Sequence, residues 1–295
     1  MGDVEAVVTR PGQGIVYLSW RRRIDGNLLL VLPAALLMLA CFILPLLKLL
    51  GLSFSQPSPG FGNYEALVTR PIYVRVLWNT VVISASVDVF CLLIGYPVAT
   101  IMATSSPRMR RILIFMVLIP FWSSVLVRSF AWMVLLQRNG LINDMLIGIG
   151  MIQRPAQLVY NRVGVLIGMV QILLPFMIFP LFTTMSRIDP AYARAAATLG
   201  AGPVRGFLRV WFPLTLPGVL TGGVLVFVIA LGYYIVPALL GGFGDTMVAQ
   251  VIEQQVADFG NWGMAGTLSV ALLAGTAVML ALIMRVYGSA NVWRR

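Results

Sequence analysis

RIDPAYARAAATLGAGPVRGFLRVWFPLTLPG, residues Arg187–Gly218, is the longest polar-bearing interval in an otherwise very apolar chain. Its residues nevertheless predict ordered structure. Asp189 can cap a helix whose first turn holds Pro190, and Gly200 stands where a helix stop is expected. Tyr192, Ala195, Ala196 and Leu199 recur at i, i+3, i+4 and i+7, which gives one apolar stripe. Beyond the stop, Pro203 can start a second short helix with Val204, Phe207, Leu208 and Trp211 on one face and Arg205 and Arg209 on another. The pattern is a small amphipathic helical elbow at a membrane surface, with an Ala-rich face that another protein can approach closely.

The surrounding chain supports a membrane setting. Of its 295 residues, 59% are hydrophobic and only 11% charged, and the mean hydropathy is +0.92. Soluble domains carry about a quarter charged residues, so this is an all-α polytopic membrane protein. The absence of histidine argues against His-based acid–base chemistry and most zinc or haem sites, and no metal site or cofactor is expected. Cys41 and Cys91 lie in apolar runs and read as small buried hydrophobes. The net charge of +11 sits mostly in short loops, which points to membrane orientation and away from nucleic acid. Arg21–Arg23 precede an apolar run too long for a signal-peptide core.

A helix crosses a bilayer in ~20 apolar residues. Six segments qualify: Asn27–Leu52, Asn79–Thr104, Ile112–Leu136, Val163–Met185, Pro217–Leu240 and Met264–Tyr287. Residues 1–26 form a short cytoplasmic segment and 27–295 the membrane domain, with no internal repeat. With both termini inside, the inner segments hold Arg10, Arg21–Arg23, Arg108, Arg110, Arg111, Arg187, Arg194, Arg205, Arg209, Arg285, Arg294 and Arg295. The outer loops hold Arg70, Arg75, Arg138, Arg154 and Arg162. The positive-inside bias therefore favours an N-in, C-in chain with the elbow in the cytoplasm. Pro33, Pro45, Pro97, Pro120, Pro175, Pro180 and Pro237 are expected to kink the spans, as suits a transporter or channel better than an anchor.

Ionisable groups inside a span need a partner or a wet cavity. Lys48, near the outer end of the first span, can snorkel to the interface. Asp88 and Arg128 lie deeper, on neighbouring antiparallel spans, and two readings stay open: a structural ion pair, or a place on a translocation path. Trp122, Phe130, Trp132, Tyr233 and Tyr234 are the aromatic candidates, with the tyrosines expected just before a Pro237 kink. An aromatic-lined constriction suits a cationic or amphipathic solute, and packing is the competing role. No phosphate-binding Gly-rich loop, metal constellation or nucleophile–base pair is present, so any ATP must be hydrolysed by a partner. A membrane enzyme fits poorly. A self-contained secondary carrier or channel remains the alternative to a subunit driven by such a partner.

Ala195-Ala196-Ala197-Thr198-Leu199-Gly200-Ala201, followed by Phe212-Pro213-Leu214-Thr215-Leu216-Pro217-Gly218, resembles the EAA loop of bacterial ABC importer permeases. Pro120-Phe121-Trp122, Leu126–Trp132, Gly140–Asn143 and Pro237–Gly242 look like the third- and fifth-span regions of the spermidine/putrescine-type permeases. The resemblance implies the type I importer fold and a bacterial inner-membrane, multi-pass location. It implies a permease subunit that forms half of a pathway for a polyamine-like or other small nitrogenous solute. The implied partners are a second permease of different sequence, two cytoplasmic ATPase subunits and a periplasmic solute-binding protein. The outer loop Ser53–Trp78 is expected to contribute to the contact with that binding protein. Arg194, Ala195, Ala196, Leu199, Gly200, Ala201 and Pro203 would form the coupling helix on the ATPase, and Asp88, Trp122, Arg128, Tyr233 and Tyr234 would line the path. Two positions depart from the family pattern: Arg194 stands where its Glu opens the motif, and Tyr233-Tyr234 replaces the acidic residue many polyamine-type members carry there.

Overall fold

The computed structural model describes residues 32–291. The expected segment 1–26, the start of the first span at Asn27, and Arg294 and Arg295 lie outside the described residues. The chain divides into two units, Met1–Gly51 and Leu52–Arg295. The first holds most of helix α1 (Leu32–Ser55), which widens to a π turn at Leu39–Ile43.

The second unit continues with α2 (Gly62–Thr69), α3 (Pro71–Thr104), α4 (Pro107–Leu118), α5 (Val125–Leu136), α6 (Leu141–Gly148) and α7 (Arg162–Met185). There follow α8 (Ala191–Thr198), α9 (Pro203–Leu231, with a π turn at Phe207–Trp211), α10 (Ile235–Leu240), α11 (Val248–Ala257) and α12 (Trp262–Asn291). Among the described residues there is no strand. Among the same described residues five helices are long and apolar enough to cross a membrane, and the bent pair Pro107–Trp122 and Val125–Gly148 makes a sixth crossing if it is counted as one span.

The core is a three-helix contact of α3, α7 and α9. Ile83, Val87 and Cys91 of α3, Leu173, Met177 and Leu181 of α7, and Val226 and Ala230 of α9 are all fully buried in it. Small residues set how closely these helices approach. On α9, Gly218 and Gly222 form a G-x-x-x-G seam against α7, as in close membrane-helix pairs. The unbranched side chain of Met177 fills the hollow left by Gly222 on one side and Gly95 of α3 on the other.

Pro97 lies inside a continuous α3, and Pro175 and Pro180 inside a continuous α7. The third span, where a kink was expected at Pro120, bends by 95° just beyond it: Ser123 and Ser124 leave the helix after a 3₁₀ turn at Ile119–Trp122 that contains this proline. Ser123 donates through both its N–H and its hydroxyl to the Pro120 carbonyl, satisfying a group the break would orphan. The fifth span breaks at Gly232–Tyr234 and not at Pro237, which occupies the first turn of α10, where a missing N–H costs nothing. Both π turns end two residues before a proline, at Pro45 and Pro213. A proline ring crowds the carbonyl four residues back, and widening the preceding turn relieves it.

At the elbow end, Arg110 donates to the Met102 and Ala103 carbonyls (3.2 and 3.1 Å) and lies 5.9 Å from the Phe182 ring centroid. It thereby closes the C-terminus of α3, where a cation is favoured. At the opposite end a polar clamp fixes the loop before α11. Arg162 pairs with Asp245 at 3.0 Å and donates to Asn79 Oδ1 at 3.2 Å, while Asn79 Nδ2 donates to the Gly244 carbonyl at 2.7 Å. Val248 N–H donates to Thr80 Oγ1 at 2.9 Å. Because the Arg162 side chain is 43% exposed, Arg162→Ala is expected to cost only about 1 kcal/mol after screening. Hydrogen exchange should quicken across residues 241–247 and stay unchanged at the elbow.

Candidate coupling elbow and pathway residues

The elbow forms much as its sequence directs. Asp189 Oδ1 accepts from Ala191 N–H, the first of α8, at 2.8 Å, although the N-cap position itself is held by Pro190 and not by Asp189. Gly200 ends the helix in the left-handed region at φ +78°. Its N–H donates to the Ala197 carbonyl and Ala201 N–H to the Ala196 carbonyl, each at 3.0 Å. That pairing is a Schellman stop, which satisfies carbonyls the helix end would leave open. Pro203 begins α9, so the expected second short helix is not separate: it runs through the Phe207–Trp211 π turn into the fifth span.

Each of the two expected stripes is divided between the bundle and the surface. Tyr192, Ala193, Ala196 and Ala197 line an apolar groove of ≈ 550 Å³ shared with Thr100 and Thr104 of α3. At 100° per residue this turns Arg194, Ala195 and Thr198 away from the bundle. The stripe Tyr192, Ala195, Ala196 and Leu199 is divided: Leu199 is 86% exposed, and on α8 Ala196 alone is buried. The π turn splits the second stripe as well. Phe207 and Trp211 line the groove, Phe207 while still partly open to the surface, whereas Val204 and Leu208 point away from it and are exposed.

A knot of side chains ties the elbow root to α3. The Tyr96 ring lies 6.0 Å from Phe207 and 6.2 Å from Phe212, edge-on to the first. Thr215, fully buried, donates to the Phe212 carbonyl at 2.8 Å, so its oxygen accepts from the Tyr96 hydroxyl at 3.0 Å. Trp211 lies beside the same hydroxyl, yet its Nε1 has no hydrogen-bond partner. The sequence reading missed this knot; its available signal was a tyrosine inside a span, since a buried hydroxyl requires a partner. The G-x-x-x-G pair on α9 was legible in the same way and also went unread.

The pathway residues divide. Arg128 on α5 lies within electrostatic reach of Tyr233, and α5 packs against α10, the helix that follows the Gly232–Tyr234 break. The two span interruptions are therefore neighbours through the packing of α5 on α10. Asp88 does not join them. Its carboxylate faces Gly223 of α9, where an added Cβ would lie 3.4 Å from Oδ2. The ion pair with Arg128 is not formed: among the described residues the salt bridge is Arg162–Asp245, and Asp88 Oδ1 and Arg128 Nε are buried without hydrogen-bond partners. Trp122 is exposed and stacks on Phe115 at 5.7 Å, within its own segment, and Tyr234 is exposed beside the break. The two cysteines are free thiols; Cys91 is buried as expected and Cys41 is exposed.

Interrupted membrane-length helices joined to a stiff, outward-facing elbow define a multi-pass transport component that carries no nucleotide-binding sequence of its own. The chain belongs to the binding-protein-dependent transport system inner membrane component family, whose model matches residues 95–292. It is 38% identical over 229 residues to the spermidine/putrescine transport system permease protein PotB of Haemophilus influenzae, covering 78% of each chain. It is 31% identical over 256 residues to the PotB protein of Escherichia coli, covering 84% of this chain and 91% of that one. Among solved structures, the fold is similar to a bacterial ABC transporter that imports the acidic polysaccharide alginate, with TM-score 0.68 at 20% identity over 90% of this chain and 97% of that chain. A second structure, of a bacterial alginate ABC transporter in complex with an alginate pentasaccharide-bound periplasmic protein, has TM-score 0.70 at 18% identity, covering 88% of this chain and 93% of that one. The chain is a permease subunit of the ABC importer family and is not itself catalytic.

Proposed function

We propose that this permease forms half of the pathway of an ATP-driven importer for a polyamine or a similar small nitrogenous solute, in the bacterial inner membrane. Its elbow lies in the cytoplasm and couples to one of two ATPase subunits. A second permease of different sequence supplies the other half of the path, and a periplasmic binding protein delivers the solute at the clamped end. The observation that carries the reading is the elbow itself: a Schellman-stopped helix, exposed on its outer face, that leads directly into α9, whose root is tied to α3 by the Tyr96 knot. A rigid lever of that kind transmits a partner's motion to the spans it continues into. The distribution of Lys and Arg supports the cytoplasmic side, and the PotB relatives support the solute class.

Arg128, Tyr233 and Tyr234 contribute to the constriction at the two span breaks, where unwound backbone is tolerated only against protein or a wet cavity. Asp88 offers a carboxylate to a passing cationic group from a separate level of the path.

Co-purification and reconstitution test the reading together. The detergent-solubilised chain should bring down ATPase subunits, and vesicles should accumulate spermidine or putrescine only with ATP and binding protein. Accumulation by the chain alone would make it a self-contained carrier. Tyr233→Ala should lower uptake in the full system while the binding protein keeps its solute affinity; unchanged uptake removes Tyr233 from the path.

A further inference from the structure

The elbow stretch Arg187–Gly218 carries four arginines and a single acid, Asp189, and that carboxylate is engaged with the first N–H of α8. Arg187, Arg194, Arg205 and Arg209 are all exposed, and among the described residues the salt bridge lies elsewhere, at Arg162–Asp245. Arg194 is the most telling of the four. It lies on the face of α8 turned away from the groove, flanked only by the small residues Ala195 and Thr198, so a second surface can reach its guanidinium closely. It also occupies the position where the family pattern opens with glutamate. The side of the elbow nearer the bundle is already taken by Ala196, Phe207 and Trp211 packing toward α3. A flat lipid leaflet would meet that inward side, whereas a protein groove meets the outward one.

We propose that the ATPase surface receiving this elbow is acidic where it faces Arg194, so that the docking contact is reversed in sign from the family pattern. The proposal rests on the coupling reading above and adds the charge of the partner. A guanidinium offers a planar fork of donors that matches a carboxylate in two parallel hydrogen bonds. Leu199, Val204 and Leu208, exposed beside the arginines, supply apolar contact area around such a pair. An ATPase with a basic residue at that point would be excluded by like-charge repulsion, so the reversal would also keep the permease from pairing with the ATPases of other importers.

The test measures binding of the co-purifying ATPase subunits to the full-length chain in nanodiscs of zwitterionic lipid. Arg194→Glu should weaken binding by roughly tenfold or more and Arg194→Gln by about threefold, as expected for losing or inverting one charge-assisted contact. Raising the salt from about 0.1 to 0.5 M should weaken the unaltered chain more than the Arg194→Gln variant. Equal or tighter binding by Arg194→Glu overturns the sign reversal and leaves coupling intact. A loss seen only in anionic nanodiscs assigns Arg194 to the leaflet and overturns it equally. Failure of the unaltered chain to bind any ATPase subunit is a different result, since it removes the coupling reading itself.

Discussion

Gly200→Val should abolish solute-stimulated ATP hydrolysis by the assembled transporter while the chain still inserts and folds. Gly200 sits at φ +78°, and no atom lies within 4 Å of an added Cβ. Crowding is therefore not the obstacle; backbone conformation is. An L-residue in the left-handed region costs about 1–2 kcal/mol, and branching at Cβ makes that region a true outlier. The cheapest escape is to unwind the Schellman stop, which frees the Ala196 and Ala197 carbonyls and rotates Pro203, the first residue of α9. The lever then loses its fixed angle, whereas the α3–α7–α9 core is untouched. Uptake should fall at least tenfold, the factor that about 1.4 kcal/mol represents. Gly200→Asn should retain most activity, because asparagine tolerates the same region. Equal loss in both variants would indicate that the glycine serves contact with the partner and not the turn.

Gly222→Leu should have the larger effect on the fold itself. A Cβ added there meets Met177 Sδ at 2.8 Å, and also the Met177 carbonyl oxygen and Cα at 3.2 and 3.4 Å. The sulfur is on a flexible side chain and can move, but the other two atoms belong to the α7 backbone. Leucine must therefore push α7 and α9 apart, and overpacking a tight core costs about 1–3 kcal/mol or more. One turn earlier, a Cβ added at Gly218 would lie 2.8 Å from Thr184 Oγ1 and 3.1 Å from the Pro180 carbonyl oxygen, so Gly218→Leu should act in the same direction. Size-exclusion chromatography after heating should show aggregation at a lower temperature for both leucine variants and a smaller change for Gly222→Ala. A leucine variant as heat-resistant as the parent would mean that the seam is not close-packed.

The two glycine sites differ in how far the sequence discloses them. Gly200 is legible because a helix stop is a local event: helix start, apolar period and glycine all lie within a dozen residues. The same holds for the membrane-length runs, since hydropathy needs only composition over ~20 residues. Exceptions arose where neighbours competed. Pro120 marked a kink in the third span, but nothing in its hydropathy gives the 95° angle or places the bend at Ser123 and Ser124. Pro237 looked like a kink but sits in the first turn of α10, and the interruption lies at Gly232–Tyr234. A proline is disruptive only when its missing N–H would have been used, and that depends on where the helix starts.

For this protein, then, sequence alone determined an all-helical membrane chain, the elbow with its stop, the lack of any nucleotide-binding motif and the run of arginines on the elbow. Each of these is a matter of composition or of spacing within a few helical turns. Only the tertiary structure decided which way the elbow faces, that Tyr96 and Thr215 lock it to α3, that Arg128 approaches Tyr233 and that Asp88 stays apart from both. Those relations join residues on different spans. They are set by how closely glycine seams let α3, α7 and α9 approach and by where two spans break, and no local pattern carries that information.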